Sequence, residues 1–372
     1  MEIYLDNAAS TAIDPRVLNT YVDASLRFFG NSSNIKHQHG RAAKKALEAA
    51  RNKIGRYLEL DPRGIIFTSG ATEANNLALR GLACLKNKCS ILISSIEHAC
   101  VDESVKLLLK RGLSVGVIPT LPNGQTDIAA LATSIKKSRN LRLISNISVN
   151  NETGVIQPLP QIIKLARENK ALIHTDAVQA IGKLSTKLLK YVDLVSISGH
   201  KLNGPKGIGL LWVNPKLKIN PLLVGGGQEH GIRSGTSPVP SIIAFAKAIE
   251  IAVTDPGWLL NIGKDMRALE KRIIKSIPGV HINGVDAARV QSISNMSFSL
   301  REPLIGHLQG IAVSSGAACS CPKLTPSKVL LSMGLSEDLA KNCLRISACR
   351  TTTPQDIRTA GDIIIQAAQK LL

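Results

Sequence analysis

Aromatic residues are scarce: 4 Tyr, 5 Phe and 2 Trp make up 3% of the 372-residue chain. That is too few for the stacking platforms that hold single-stranded nucleic acids. Acidic residues are also few, 27 against 46 Lys and Arg, which leaves a net charge of +19. Such an excess attracts phosphate backbones or acidic partners. The basic residues are scattered, however, and their densest stretch, residues 36–56, reads as the solvated face of a helix or a docking surface. No apolar run approaches the roughly 18 residues of a membrane helix, and residues 1–6 lack the charged and apolar parts of an export signal. Cysteine is limited to seven, an odd number without paired CxxC spacing, which speaks against a secreted disulfide framework and against structural zinc. The expectation is a soluble cytoplasmic protein with reduced thiols, no metal site, no membrane partner and no direct hold on nucleic acid.

What the chain does have is length for about two domains and a regular alternation of apolar runs with helical patterns. Strand-like runs lie at 65–68, 91–95, 114–118, 141–149, 171–175, 194–198 and 208–213. Helix-like spacing fills 72–84, 99–111, 128–138 and 159–170. This order predicts an α/β fold with a mainly parallel sheet. Turn residues cluster at Asp255-Pro256-Gly257, after which a long helix over 258–276 and shorter strands at 294–299 and 344–347 predict a smaller α+β domain.

In open α/β sheets ligands bind beyond the carboxyl ends of the strands. The residues there are Ser69-Gly70-Ala71-Thr72, Glu97-His98, Asn150-Asn151-Glu152, Asp176 with Gln179, and Ser198-Gly199-His200-Lys201. The first group brings small residues and a Thr hydroxyl to a helix start, where a phosphate can sit, although an ordinary helix entry reads the same way. It is neither a Walker A motif nor GxGxxG. An Asp after one strand and a Lys after the next suit the two ends of pyridoxal 5'-phosphate, Lys201 as Schiff-base lysine and Asp176 on the pyridine nitrogen, unless they are ordinary surface residues or Lys201 only contacts a phosphate. His98 suits acid/base work and His200 a phosphate, unless they are hydrogen-bonded structural residues. Cys319 lies in the small-residue segment Ser314-Ser315-Gly316-Ala317-Ala318-Cys319-Ser320-Cys321-Pro322, accessible enough for a nucleophile; Cys321 is a relay thiol or incidental. Arg345, a charge inside an apolar strand pattern, points to a carboxylate partner.

Taken together, these motifs resemble the cysteine desulfurases of the IscS/NifS type, in the class-V aminotransferase-like group of fold-type-I pyridoxal-phosphate enzymes. The resemblance runs through Tyr4-Leu5-Asp6-Asn7-Ala8-Ala9, Phe67 to Glu73, Val149 to Gly154, His174 to Gln179, Ser198 to Lys201, Gly204-Pro205-Lys206-Gly207, Arg233-Ser234-Gly235-Thr236 and the Cys319 loop. It implies a segment 1–12 packed on the small domain, a large cofactor domain over 13–255, and a small domain over 256–372 with its catalytic loop at about 314–326. It implies that Lys201 and Asp176 act as above, that Gln179 contacts the ring hydroxyl, and that Ala71, Thr72, Ser198, His200 and Thr236 hold the phosphate. Thr236 would come from the partner of a homodimer. His98 would stack on the ring, while Asn150 and Arg345 orient L-cysteine. The implied products are L-alanine and a persulfide on Cys319, destined for a protein acceptor, whether an iron–sulfur scaffold or a thiolation enzyme. A selenocysteine lyase or another lyase or aminotransferase of this group, or a desulfurase-like subunit of a nucleic-acid-modifying complex, is the alternative. The 316–326 loop is of the long kind seen in the IscS/NifS group. Gly30-Asn31-Ser32 and Gln228-Glu229-His230-Gly231 depart from the family pattern, and residue 372 falls short of the extension with which IscS-type enzymes dock a scaffold.

Overall fold

Seven short apolar runs flanked by polar turns, all but the edge run at 114–118 largely buried, have the composition of strands of a mainly parallel sheet. They form one in the structure, a computed structural model that describes residues 2–82, 89–315 and 325–372. The first elements are β1 (Ile3–Tyr4), α1 (Pro15–Arg27), α2 (Gln38–Leu58), β2 (Ile65–Thr68), α3 (Ala71–Gly81), β3 (Ser90–Ser94), α4 (Ala99–Lys110) and β4 (Ser114–Ile118). Then come α5 (Ile128–Lys137), β5 (Leu141–Ser145), α6 (Leu159–Glu168), β6 (Leu172–Asp176), β7 (Leu194–Ser198), β8 (Gly209–Val213) and α7 (Val239–Thr254). The remainder holds α8 (Trp258–Ser276), β9 (His281–Ile282), β10 (Ile293–Ser297), β11 (Ile311–Ala312), α9 (Lys328–Ser332), α10 (Glu337–Lys341), β12 (Cys343–Ser347) and α11 (Pro354–Gln369).

The large sheet has the order β2-β8-β7-β6-β5-β3-β4. Strands β4, β3, β5, β6 and β7 run parallel, and β8 is antiparallel to both of its neighbours. The order reverses at β3, which lies between β4 and β5, so a crevice opens at the carboxyl ends there. One face of the sheet packs a core with Val17, Leu47, Ile54, Ile162 and Phe245; the other packs Leu77, Ala78, Val101 and Val105. A separate core around Met266, Phe298, Leu344 and Ile364 serves the small antiparallel sheet β12-β10-β9 and includes Leu5 from the chain start. Strand β1 pairs in parallel with β11, and Asp6 bridges to Ser347.

Two expectations change. The strand expected over 141–149 stops at Ser145. Beyond it Asn146 and Ser148 still donate backbone N–H to the His174 and Asp176 carbonyls, but the Asn146 side chain turns inward to accept from Thr126 Oγ1 at 2.7 Å, and the chain peels off as a turn. The basic stretch at 36–56 is not wholly a solvated face, because Arg51 is 4% exposed. Its guanidinium makes a two-point pair with Glu229, 2.9 Å on each arm, donates to the Ile65 carbonyl and lies over the Phe67 ring. Glu229 also accepts from the Phe67 N–H and sits in the left-handed region with φ 48°. Arg51 thus pins the 225–236 loop to the sheet edge, and Arg233 pairs the same loop with Glu73 on α3 at 2.8 Å.

Removing one partner of a buried ion pair strands the other charge without solvent. Arg51→Met is therefore expected to lower unfolding free energy by about 3–5 kcal/mol, measured by urea denaturation, with the double variant Arg51→Met/Glu229→Leu recovering part of the loss. A single variant as stable as wild type would refute this role.

Candidate active site

A cavity of about 580 Å³ lies at the carboxyl edge of the large sheet. After β2 the chain turns through Gly70, at φ 155°, into α3, whose start has no side-chain cap. Ala71 and Thr72, the first residues of this helix, line the cavity, and no side-chain cap occupies the helix start. Close packing fixes this turn: a Cβ on Gly209 would lie 2.8 Å from the Gly70 Cα. Ser198 and His200, at the end of β7, complete that side. His200 is held at about 4 by burial and by the neighbouring Lys201 and Lys206 charges, so its ring is neutral; its Nδ1 lies 3.3 Å from the Ser10 hydroxyl.

Asp176 closes β6. Its Oδ2 accepts from Asn75 Nδ2 at 2.7 Å and its Oδ1 from the Val178 N–H at 3.0 Å, which fixes the plane of the carboxylate. Lys201 donates to the Ala8 and Ala9 carbonyls, both at 2.5 Å. Burial, reinforced by Arg345 and opposed by Asp6 and Asp176, lowers this amine to about 8. A lysine so placed carries a usable fraction of free amine near neutrality, the form that attacks a carbonyl.

His98 lines the same wall and caps α4 as well. Its Nδ1 accepts the Cys100 N–H at 3.2 Å, an assignment that leaves the ring proton on Nε2. The hydrogen-bonded structural role expected as one reading of His98 is thus present, on a residue that also lines the cavity. Beside it Glu97 is 4% exposed and is pushed up to about 8, first by burial and then by Asp176. One Glu97 oxygen accepts from the Ser145 hydroxyl at 3.1 Å; the other has no partner among the described residues. Ser145 leads on to His174, which bridges to Ser196 and is driven down to about 3 by burial. Cys100, also in the wall, is pushed up to about 12 by burial, so it offers no thiolate.

Arg345, on β12, is 1% exposed. Its Nη2 donates to Asp6 Oδ1 at 2.6 Å and its Nη1 to the Asn151 carbonyl at 3.3 Å, while Nε has no partner among the described residues. Two expected residues stand apart from the wall. Asn150 is fully buried, and its Oδ1 accepts from the Glu152 and Thr153 amides while its Nδ2 donates to the Ile96 carbonyl; both ends are spent on the turn. Thr236 is exposed, away from the cavity lining. Cys319 and Cys321 lie outside the described residues, as does Cys84. Sequence reasoning missed Asn75, whose only signal is a polar residue on the apolar face Ala74, Leu77 and Ala78, and it gave Asp6 no role.

A family model described as aminotransferase class-V matches residues 3–359. The chain belongs to the class-V aminotransferase family. The cysteine desulfurase IscS of Rickettsia felis is 39% identical over 382 residues, covering 100% of this chain and 92% of that protein. A solved NifS-like protein superposes with a TM-score of 0.90 at 33% identity, over 100% of both chains. A structure of SspA in complex with cysteine has a TM-score of 0.84 at 33% identity, covering 95% of this chain and 100% of the other. The mostly parallel sheet with helices on both faces is thus the fold-type-I arrangement of class-V enzymes, as the resemblance implied. No described helix is long and apolar enough to cross a membrane.

Within this class-V site Glu97 gives a test of buried protonation. It titrates near 8 when folded and near about 4.3 when unfolded. Its stabilising protonated form is fully present below the unfolded value and lost as pH rises through the folded one. Glu97→Gln, neutral throughout, should match wild type near about pH 5 and become the more stable of the two by about pH 9. Denaturation across that range checks this; a gap that does not widen with pH would sink it.

Proposed function

We propose that this class-V enzyme is a pyridoxal-phosphate-dependent cysteine desulfurase. The observation that carries the reading is one cavity lined by a buried amine of lowered proton affinity, Lys201, a pinned carboxylate, Asp176, and a buried guanidinium, Arg345, whose Nε has no partner among the described residues. The names of its relatives support the substrate: IscS is a cysteine desulfurase and SspA was solved with cysteine. When bound, the cofactor supplies an electron sink for the carbon beside the substrate amine. Lys201 would hold its carbonyl end, Asp176 its ring nitrogen, Gln179 its ring hydroxyl, and Ala71, Thr72, Ser198 and His200 its phosphate. The uncapped start of α3 fits an anion.

The residues of the chain then divide the work. Arg345 receives the substrate carboxylate, and Asp6 and the Asn151 carbonyl keep its guanidinium plane fixed for that contact. Asn150 acts on the substrate indirectly, by holding the turn that presents Asn151. Lys201 carries a proton at the substrate Cα, and His98 offers its Nε2 proton. The Cys319 sulfur attacks the substrate sulfur: the Cβ–S bond breaks, an S–S bond forms, Cβ gains a proton, and L-cysteine plus a thiol becomes L-alanine plus a persulfide. The persulfide then goes to a protein acceptor. Residues 13–255 would carry the cofactor, and 256–372 the sulfur-accepting loop. A homodimer would use α1, where Leu18, Val22 and Leu26 recur every fourth residue as an exposed apolar row beside Tyr21 and Phe29, and would bring the exposed Thr236 to the partner's phosphate.

Purified protein should be yellow, and borohydride should fix the cofactor on Lys201. L-Cysteine with a thiol should give equal alanine and sulfide; Cys319→Ala should abolish sulfide release, and release at the wild-type rate would overturn the persulfide. Arg345→Lys should raise KM for L-cysteine roughly 10- to 100-fold with a smaller change in kcat; an unchanged KM would remove Arg345 from carboxylate binding. Light scattering should report a dimer for wild type and a monomer for Val22→Asp/Leu26→Asp, and a wild-type monomer would exclude the dimer.

A further inference from the structure

Lys183 follows the turn after β6, and its amine is enclosed although the residue as a whole is only half-buried. Among the described residues no carboxylate lies within ion-pair distance of it. Its partner is a neutral amide: Nζ donates to Gln179 Oε1 at 2.5 Å. Gln179 Nε2 donates in turn to the Ala8 carbonyl at 3.0 Å, the same oxygen that accepts from Lys201. A cavity of about 30 Å³, lined by both lysines and by Cys349, lies alongside.

An ammonium only donates, so it demands the oxygen end of the Gln179 amide and leaves the NH₂ end toward Ala8 and the cofactor cavity. A lysine buried with no counterion is costly, and the structural work it does here is to orient one amide. We propose that Lys183 is a positioning residue for Lys201: it locks the Gln179 amide, which holds the Ala8 carbonyl against the Lys201 amine. This rests on the reading of Lys201 as the cofactor lysine. The lock also presents Gln179 as a donor, the polarity that an ionised ring hydroxyl needs.

The two lysines share one enclosed network. Lys183 is lowered to about 7, by burial first and then by Lys201, with Arg345 adding to the shift and Cys349 opposing it. Around Lys201 the facing groups are Arg345, which also lowers it, and Asp6 and Asp176, which raise it. His200, its chain neighbour, is neutral. Lys183 is already mostly neutral where Lys201 titrates, so what it gives Lys201 is the fixed Ala8 acceptor. Without the lock the Lys201 ammonium loses part of that acceptor and releases its proton at lower pH.

The test is competitive labelling of the full chain, stripped of cofactor, with trace acetic anhydride between about pH 6 and about pH 10, reading each lysine by peptide mass spectrometry. Wild-type Lys201 is expected to half-titrate near 8. In Lys183→Met, which removes the donor to Gln179, the midpoint should fall by about half a pH unit or more as the Lys201 ammonium loses its held acceptor, while Lys183→Gln, which keeps an N–H donor, should stay nearer wild type. A lysine that only packs would lower the melting temperature of its variants and leave the Lys201 midpoint in place; that result overturns the proposal. So does wild-type Lys183 labelling as an ordinary exposed lysine, a readout that needs no variant. Pyridoxal phosphate followed by borohydride on wild type reports the underlying reading separately: no adduct on Lys201 removes that reading, whereas an adduct with unmoved midpoints removes Lys183 alone.

Discussion

The cavity depends on a few residues of backbone near the chain start, clamped between two sheets. Leu5 N–H bonds to Ala312, the Ser347 N–H to Leu5, and the Thr11 N–H to the His200 carbonyl. Asn7 Nδ2 donates to the Ser347 carbonyl and the Ala8 N–H to the Ser347 hydroxyl, each at 2.8 Å. Held this way, the segment supplies what the two central cations need: the Ala8 and Ala9 carbonyls for Lys201, and the Asp6 carboxylate for Arg345. Buried cations demand such acceptors, and carbonyls satisfy an amine without fixing its charge as a carboxylate would. That difference leaves Lys201 free to titrate.

Desolvation then sets protonation throughout the site. Burial favours the neutral forms of Glu97, His174, His200 and Lys201; the carboxyl and the two imidazoles are uncharged near neutrality, and Lys201 keeps a fraction of free amine. Asp176 is held by two donors aimed at its carboxylate, the Asn75 amide and the Val178 N–H. The result is a cavity in which the Asp176 carboxylate and the Arg345 guanidinium are each held in place by hydrogen bonds. A charge arriving or forming between them is felt strongly in such surroundings.

Much of this was legible in sequence because it is local. The strands at 65–68, 114–118 and 194–198 agree with β2, β4 and β7 to the residue, since apolar runs bounded by turn residues have few alternatives. The carboxyl-edge rule gathered His98, Asp176, Gln179, His200 and Lys201, and all five line one cavity. The illegible part is tertiary. Arg51 sits among solvated lysines on α2, and only its meeting with Glu229, 178 residues away, shows that it is internal. Asn75 reaches Asp176 across 101 residues. Lys183 follows a glycine in a polar turn, with no periodicity to mark it. Asn150 follows a strand like its neighbours, yet its amide points into its own turn, a choice decided by three nearby donors that spacing does not reveal.

The parallel pairing of β1 with β11 has a consequence for biosynthesis. Ile3 and Tyr4 leave the ribosome long before their partners Ile311 and Ala312, and Asn7 precedes the Ser347 that anchors it by 340 residues. Until then the chain start has no ladder to join, and the large sheet can assemble with its crevice still uncovered. The site is therefore finished late, by a closure spanning most of the chain. Such long-range closures are slow steps, and here the step coincides with the moment at which Lys201 and Arg345 acquire their acceptors.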